Sequence, residues 1–168
     1  MNRNFYKNMT QPFRDFPKLA KSVHRTNQIL TFLVAGLYAG LLFFLCVQHP
    51  DLLYKTILVP LGGFFGVSVL RVIVNRKRPY EVFGISPILP KDTKGKSFPS
   101  RHVYSATILA VTFLAQWETC FVGIGVGMMI AAFVIATLRV ISGVHYVSDV
   151  IAGFVLALLT GWLGFVVI

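Results

Sequence analysis

The chain has 168 residues, of which 55% are hydrophobic and 13% charged, with a mean hydropathy of +0.71 and a formal net charge of +10. A composition this apolar excludes an ordinary soluble domain and reads as one integral membrane unit. The basic excess, 16 Lys and Arg against 6 Asp and Glu, fits membrane lipids with anionic headgroups or a phosphate-bearing substrate. No nucleic acid is expected as a partner, because no polar domain remains to present a groove-reading element. Cys46 and Cys120 lie in or beside apolar runs and lack metal-ligand spacing.

Residues 1–27 carry six basic side chains, Arg3, Lys7, Arg14, Lys18, Lys21 and Arg25, against Asp15 alone. Phe5, Met9, Phe13, Phe16, Ala20 and Val23 recur at roughly helical spacing, interrupted by Pro12 and Pro17. The stretch reads either as a broken amphipathic segment on the membrane surface or as a flexible basic tail. It does not read as a signal peptide, since the apolar run that follows is long and no small-residue cleavage site comes after it.

Residues 28–168 are expected to form the membrane domain. Five runs, 28–47, 56–75, 101–117, 120–141 and 146–168, are long enough or nearly so to cross a bilayer. Only helices satisfy their own backbone there, so the predicted fold is all-α: a polytopic helix bundle of about five transmembrane helices with a basic N-terminal interfacial segment. Gly36 with Gly40, Gly62 with Gly66, and Gly123 with Gly127 are expected to pack helices closely within the bundle. Trp117 and Trp162 are expected at the membrane interface.

The second run ends in Leu70-Arg71-Val72-Ile73-Val74-Asn75-Arg76-Lys77-Arg78-Pro79. Arg71 and Arg78 are two helical turns apart and share a face if the helix continues that far, although Pro79 biases Arg78 out of helix geometry. They serve either as phosphate-binding guanidiniums or as anchors at a helix end. The loop at 80–98 carries Lys91, Lys94 and Lys96 with Phe83, Ile85, Ile88 and Leu89, and reads as an interfacial element or a connector. It leads into Phe98-Pro99-Ser100-Arg101-His102, where Ser100 is a candidate N-cap and Arg101 and His102 fall in the first helical turn. A helix N-terminus with a hydroxyl and an arginine is a natural phosphate cradle, and a bound dianion would favour the acidic form of His102.

Leu138 to Asp149 reads R-x5-H-x3-D between two apolar runs, where charged groups are costly unless they have a task. Ser142-Gly143 breaks the run, so a new helix is expected near Val144, with His145 in its first turn and Asp149 one turn below. That carboxylate can hold one ring nitrogen protonated and leave the other as a nucleophile or base. With five crossings, Arg71, Arg78, Ser100, His102, Arg139, His145 and Asp149 share one face of the membrane, which points to a single phosphate-handling site.

The three blocks, in order and with their internal spacing, resemble the signature of the type 2 phosphatidic acid phosphatase family: K-x6-R-P, P-S-G-H and S-R-x5-H-x3-D. The resemblance implies that His145 is the nucleophile of a phosphohistidine, that Asp149 orients it and that His102 protonates the leaving oxygen. Arg71, Arg78, Ser100, Arg139 and the amide of Arg101 would hold the phosphoryl oxygens, without a metal or other cofactor. Three positions depart from the pattern: Arg71 stands for lysine, Arg101 for glycine and Leu138 for serine. The family also usually has six helices, with two before its first motif. The expected substrate is a lipid phosphate, either an isoprenoid diphosphate such as undecaprenyl diphosphate or a phosphatidate or phosphatidylglycerophosphate. A small soluble ester, or lipid-phosphate binding without catalysis, are the alternatives. Eleven basic residues outside the site lie on its side of the membrane against Lys55 on the other, which by the positive-inside rule places the site in the cytoplasm. The family resemblance implies an outward-facing site in a bacterial plasma membrane. The sequence does not specify an oligomeric state.

Overall fold

A computed structural model describes residues 3–91, 93–116 and 119–167, with the backbone alone for Thr119 and Cys120. The expected interfacial Trp117 lies outside the described residues. The chain begins with α1 (Arg3–Asp15), and proline then opens the next three helices: Pro17 starts α2 (Pro17–Gln48), Pro50 starts α3 (Pro50–Val74) and Pro79 starts the short α4 (Pro79–Phe83). In the first turn its missing N–H is no loss. After a loop come α5 (Arg101–Leu114), α6 (Thr119–Ile141) and α7 (Val147–Trp162), the last continuing into a π-helical turn at Leu163–Val167.

Among the described residues, four helical stretches are long and apolar enough to cross a membrane: Pro17–Gln48, Pro50–Phe83, Phe121–Ile141 and Val147–Val167. The third run of the sequence, expected as a crossing, is the shorter 14-residue α5 at the centre of the bundle. At 1.5 Å per residue it spans about 21 Å, short of a hydrocarbon core about 30 Å thick. Its Val103, Tyr104, Ala106, Thr107, Ile108, Ala110, Thr112 and Phe113 are buried because α2, α3, α6 and α7 all pack around it. The outside is the apolar surface. Phe32, Phe43, Phe65, Ile73 and Phe133 are all largely exposed, Ile73 to 74%, while Ala106, Ala110, Ala132 and Ala157 fill the interior. Large apolar groups facing outward are the arrangement a lipid solvent allows, alanines inside let helices pack closely, and the protein is an integral membrane protein.

Helix packing uses different glycines from those expected. A Cβ on Gly36, Gly40, Gly62, Gly66, Gly123 or Gly127 would meet nothing within 4 Å, so these six do not mediate close contacts in the bundle. The close approaches fall elsewhere. A Cβ on Gly63 would collide with the Tyr104 ring and Thr160, and one on Gly153 would lie 2.6 Å from the Ser100 carbonyl oxygen. Which face of a helix meets a neighbour is set by the bundle, and small-residue spacing alone does not report it.

The N-terminal segment also differs in detail. Pro12 lies within α1 without ending it, and α2 runs unbroken through residues 17–27. Phe5 and Phe16, part of the apparent apolar stripe, are exposed, whereas Tyr6 and Thr10 are fully buried. The described residues of the 84–100 loop are likewise partly packed. Leu89 joins Val23 and Val144 in a small core with Ile88, Phe13 and Leu138 against it, and Ile85 is buried.

Candidate active site

The site lies where three chain reversals meet at one end of the bundle. Asn75 ends α3 in the left-handed conformation (φ 39°), and Arg78 is extended (φ −83°, ψ 158°) at the start of α4. Arg71 and Arg78 are therefore not two turns of one helix: the left-handed residue and Pro79 stop the helix between them. At the second reversal Gly143 has φ +69°, which only glycine adopts without strain, and its carbonyl accepts from the Tyr80 amide at 3.2 Å. At the third, Ser100 is the N-cap of α5, with Arg101 and His102 in the first turn as expected.

His145 precedes its helix rather than occupying the first turn. Tyr146 is the N-cap of α7, and the Asp149 carboxylate turns back to accept from the Tyr146 amide at 3.0 Å. Asp149 thus caps a helix and faces the histidine, with Oδ2 3.4 Å from His145 Nδ1. Ser97 Oγ donates a short hydrogen bond to the same oxygen and lies 3.5 Å from Nδ1. Arg76 Nη1 donates to Asp149 Oδ1 and to Ser148 Oγ, both at 2.8 Å. A proton on Nδ1, facing the carboxylate, leaves the lone pair on Nε2, which points toward Arg78 Nη1 at 3.4 Å. Burial pushes the His145 imidazole down to about 4, against the raising effect of Asp149, so the ring is neutral at ordinary pH.

Arg78 is braced by the carbonyls of Gly95 (3.0 Å), Val144 (3.2 Å) and Lys96 (3.3 Å). Arg71 Nη1 donates to the Pro99 carbonyl at 2.8 Å. Arg139 is buried with Nε unpartnered, as is Ser100 Oγ. Buried donors without a protein partner are costly unless a ligand completes them. Burial, and then the charges of Arg139 and Lys91, push the His102 imidazole down to about 2, so it is neutral in the empty site and gains its proton only when a phosphate dianion binds. The Arg101 side chain is exposed, with its guanidinium 5.2 Å from the Phe64 ring centroid. The fold therefore collects Arg71, Arg78, Ser100, His102, Arg139, His145 and Asp149 at one end of the bundle, while the Arg101 side chain turns toward Phe64.

Three contributors were not apparent from the motifs. Ser97 lies just before the second block and Arg76 is an unspecified position inside the first. Tyr6 of α1 reaches the site from the far end of the chain: its hydroxyl donates to the His145 carbonyl at 3.5 Å, and its ring stacks on Phe83 and meets Tyr146 edge-on. Pro79, which biases the chain before it out of helix geometry, was the available signal, since ending the helix early lets Arg76 turn toward another element.

A membrane-embedded helix bundle with an oriented histidine beside buried guanidiniums defines a protein that acts on phosphate esters. The chain belongs to the PAP2 superfamily, whose model matches residues 51–168, and it is a phosphatase of that class. The fold is similar to the crystal structure of Aquifex aeolicus LpxE, with a TM-score of 0.72, 22% identity, and coverage of 97% of this chain and 93% of that one. It is also similar to a PAP2-type phosphatidylglycerolphosphate phosphatase from Bacillus subtilis, with a TM-score of 0.50, 20% identity, and coverage of 95% and 90%. No curated protein sequence matches the chain.

Proposed function

We propose that the protein removes a terminal phosphate from a membrane lipid phosphate through a phosphohistidine on His145. The carrying observation is the orientation of that imidazole: Nδ1 faces Asp149 and Nε2 faces Arg78. Nε2 attacks phosphorus as the bond to the leaving oxygen breaks, and His102 supplies the proton to that oxygen. Water then attacks the phosphohistidine, giving its proton to His102, and the P–N bond breaks to release phosphate and neutral His145. Arg71, Arg78 and Arg139, with Ser100 Oγ and the Arg101 amide, gather the charge on the phosphoryl oxygens.

A lipid substrate is supported by two adjoining apolar cavities, the first of which reaches His102 at the edge of the site. One of about 260 Å³ is bordered by Arg101 and His102 and continues along Val34, Leu109 and Ile135. A second of about 360 Å³ shares Phe64, Ser105 and Leu109 with it and extends between α2, α3 and α5. A phosphate at the guanidiniums with its chain in these cavities fits an isoprenoid diphosphate or a phosphatidate-like lipid. We place the protein in a bacterial plasma membrane with the site outward and residues 28–168 as its phosphatase domain. The exposed basic residues of segment 1–27 would lie among anionic headgroups. Labelling of a Lys94→Cys variant by a membrane-impermeant thiol reagent tests the sidedness.

The deciding experiment is phosphate release in detergent from a polyprenyl diphosphate and from phosphatidic acid, for the intact protein beside His145→Ala. Release that vanishes in the variant supports the reading, and the faster lipid names the preferred class. Equal rates on water-soluble esters would shift it to a soluble substrate, and a folded protein that binds lipid phosphate without releasing phosphate would leave a binding protein.

A further inference from the structure

We propose that Arg76 is a positioning residue of this site, clamping Asp149 from both sides so that the carboxylate stays turned toward His145. Resting on the proposed role of His145, the assignment concerns a residue that the three motif blocks leave unspecified. The side chain holds one carboxylate oxygen: Arg76 Nη1 lies 2.8 Å from Asp149 Oδ1. The main chain governs the other. Ser97 donates its amide to the Arg76 carbonyl at 2.9 Å, and Ser97 Oγ donates to Asp149 Oδ2. Arg76 therefore holds one oxygen of a fully buried carboxylate and supports the donor to the other, beside the contacts that carboxylate makes with the Tyr146 amide and His145 Nδ1.

The arginine is itself locked. Its guanidinium lies 4.0 Å from the centroid of the Tyr146 ring, and Nη1 also holds Ser148 Oγ, so it is bound to the residues on each side of Val147 and to Asp149. A planar guanidinium can stack and donate at once, which an ammonium cannot. A buried carboxylate lacking such a partner would be strongly disfavoured, and its attraction for a proton on His145 would rise. Arg78 and Arg139 also act on the imidazole, and His102 lies near it. Arg76 differs from these because it acts on His145 through Asp149.

The test is a double-mutant cycle on phosphatidic acid hydrolysis with Arg76→Ala, Arg76→Lys, Asp149→Asn and the combined variants. Arg76→Ala is expected to lower kcat about 10²-fold with little change in KM. Its acid limb in kcat/KM should move to higher pH, since an unneutralised Asp149 favours the imidazolium. In the Asp149→Asn background the same change should cost much less. An equal loss in both backgrounds, or an unshifted acid limb, overturns the assignment. Should Arg76→Ala not fold, Arg76→Lys carries the same cycle, because lysine keeps the charge but not the stacked geometry. Retained activity in His145→Ala would instead sink the phosphohistidine and leave the Arg76–Asp149 coupling to be read separately.

Discussion

The Ser100 amide donates to the main-chain carbonyl of Asp149 at 2.9 Å. This bond ties the N-terminus of α5, where the proposed phosphate cradle begins, to the first turn of α7, where the histidine's partner sits. Gly153, one turn further along α7, lets the two helices approach, since a Cβ there would lie 2.6 Å from the Ser100 carbonyl. Gly153→Ala is expected to separate the helices and lower kcat by about 10²-fold. The apparent melting temperature in detergent should fall with it. Unchanged kinetics would mean that this contact does not set the site geometry.

Because burial depresses the His145 pKa to about 4, below about 6.5 in an unfolded chain, the unfolded state binds more protons between those values. The contribution of this group to stability is complete above about pH 6.5, falls as pH is lowered toward 4 and is flat below. Thermal unfolding across that window should show a smaller acid dependence in His145→Gln than in the parent.

Ser97→Ala removes the donor to Asp149 Oδ2 while leaving the guanidinium cradle untouched. A loss of kcat near 10²-fold with KM retained is expected, and a rise in KM alone would place Ser97 on the substrate instead.

Tyr6 makes α1 part of the site's support. Its ring is fully buried, so Tyr6→Ala should destabilise by about 3–5 kcal/mol, comparable to other buried aromatic truncations. Tyr6→Phe should be nearly neutral, because the hydroxyl contact at 3.5 Å is too long to contribute much. Unfolding curves of the two variants decide this.

Guanidiniums supply the positive charge in the proposed mechanism, so phosphate release should persist in EDTA. Loss of activity on chelation, restored by a divalent cation, would overturn it.

Much of the site was legible from local spacing. R-x5-H-x3-D and Pro-Ser-x-His name groups with few reasons to sit beside apolar runs, and the fold collects them at one end of the bundle. The route by which they meet was less legible. His145 and Asp149 at i, i+4 read as two residues of one helix face, yet the helix begins at Val147 because Gly143 turns left-handed and Asp149 prefers to cap the chain. The expected interaction survives on a different backbone. The apparent amphipathic stripe of α1 misplaced its buried face, because Tyr6 and Thr10 are chosen by the site they cover and not by hydrophobicity.

Composition and run length by themselves determined a polytopic α-helical membrane protein, because a lipid solvent leaves the backbone few alternatives. The charged motifs picked out the residues that gather at one end of the bundle. Tertiary structure alone decided that α5 is a short central helix, that Gly153 and not the small-xxx-small pairs brings helices close, and that Arg76 and Ser97 grip Asp149. Each of these depends on which surfaces meet between segments far apart in the chain, and local periodicity carries no record of a partner.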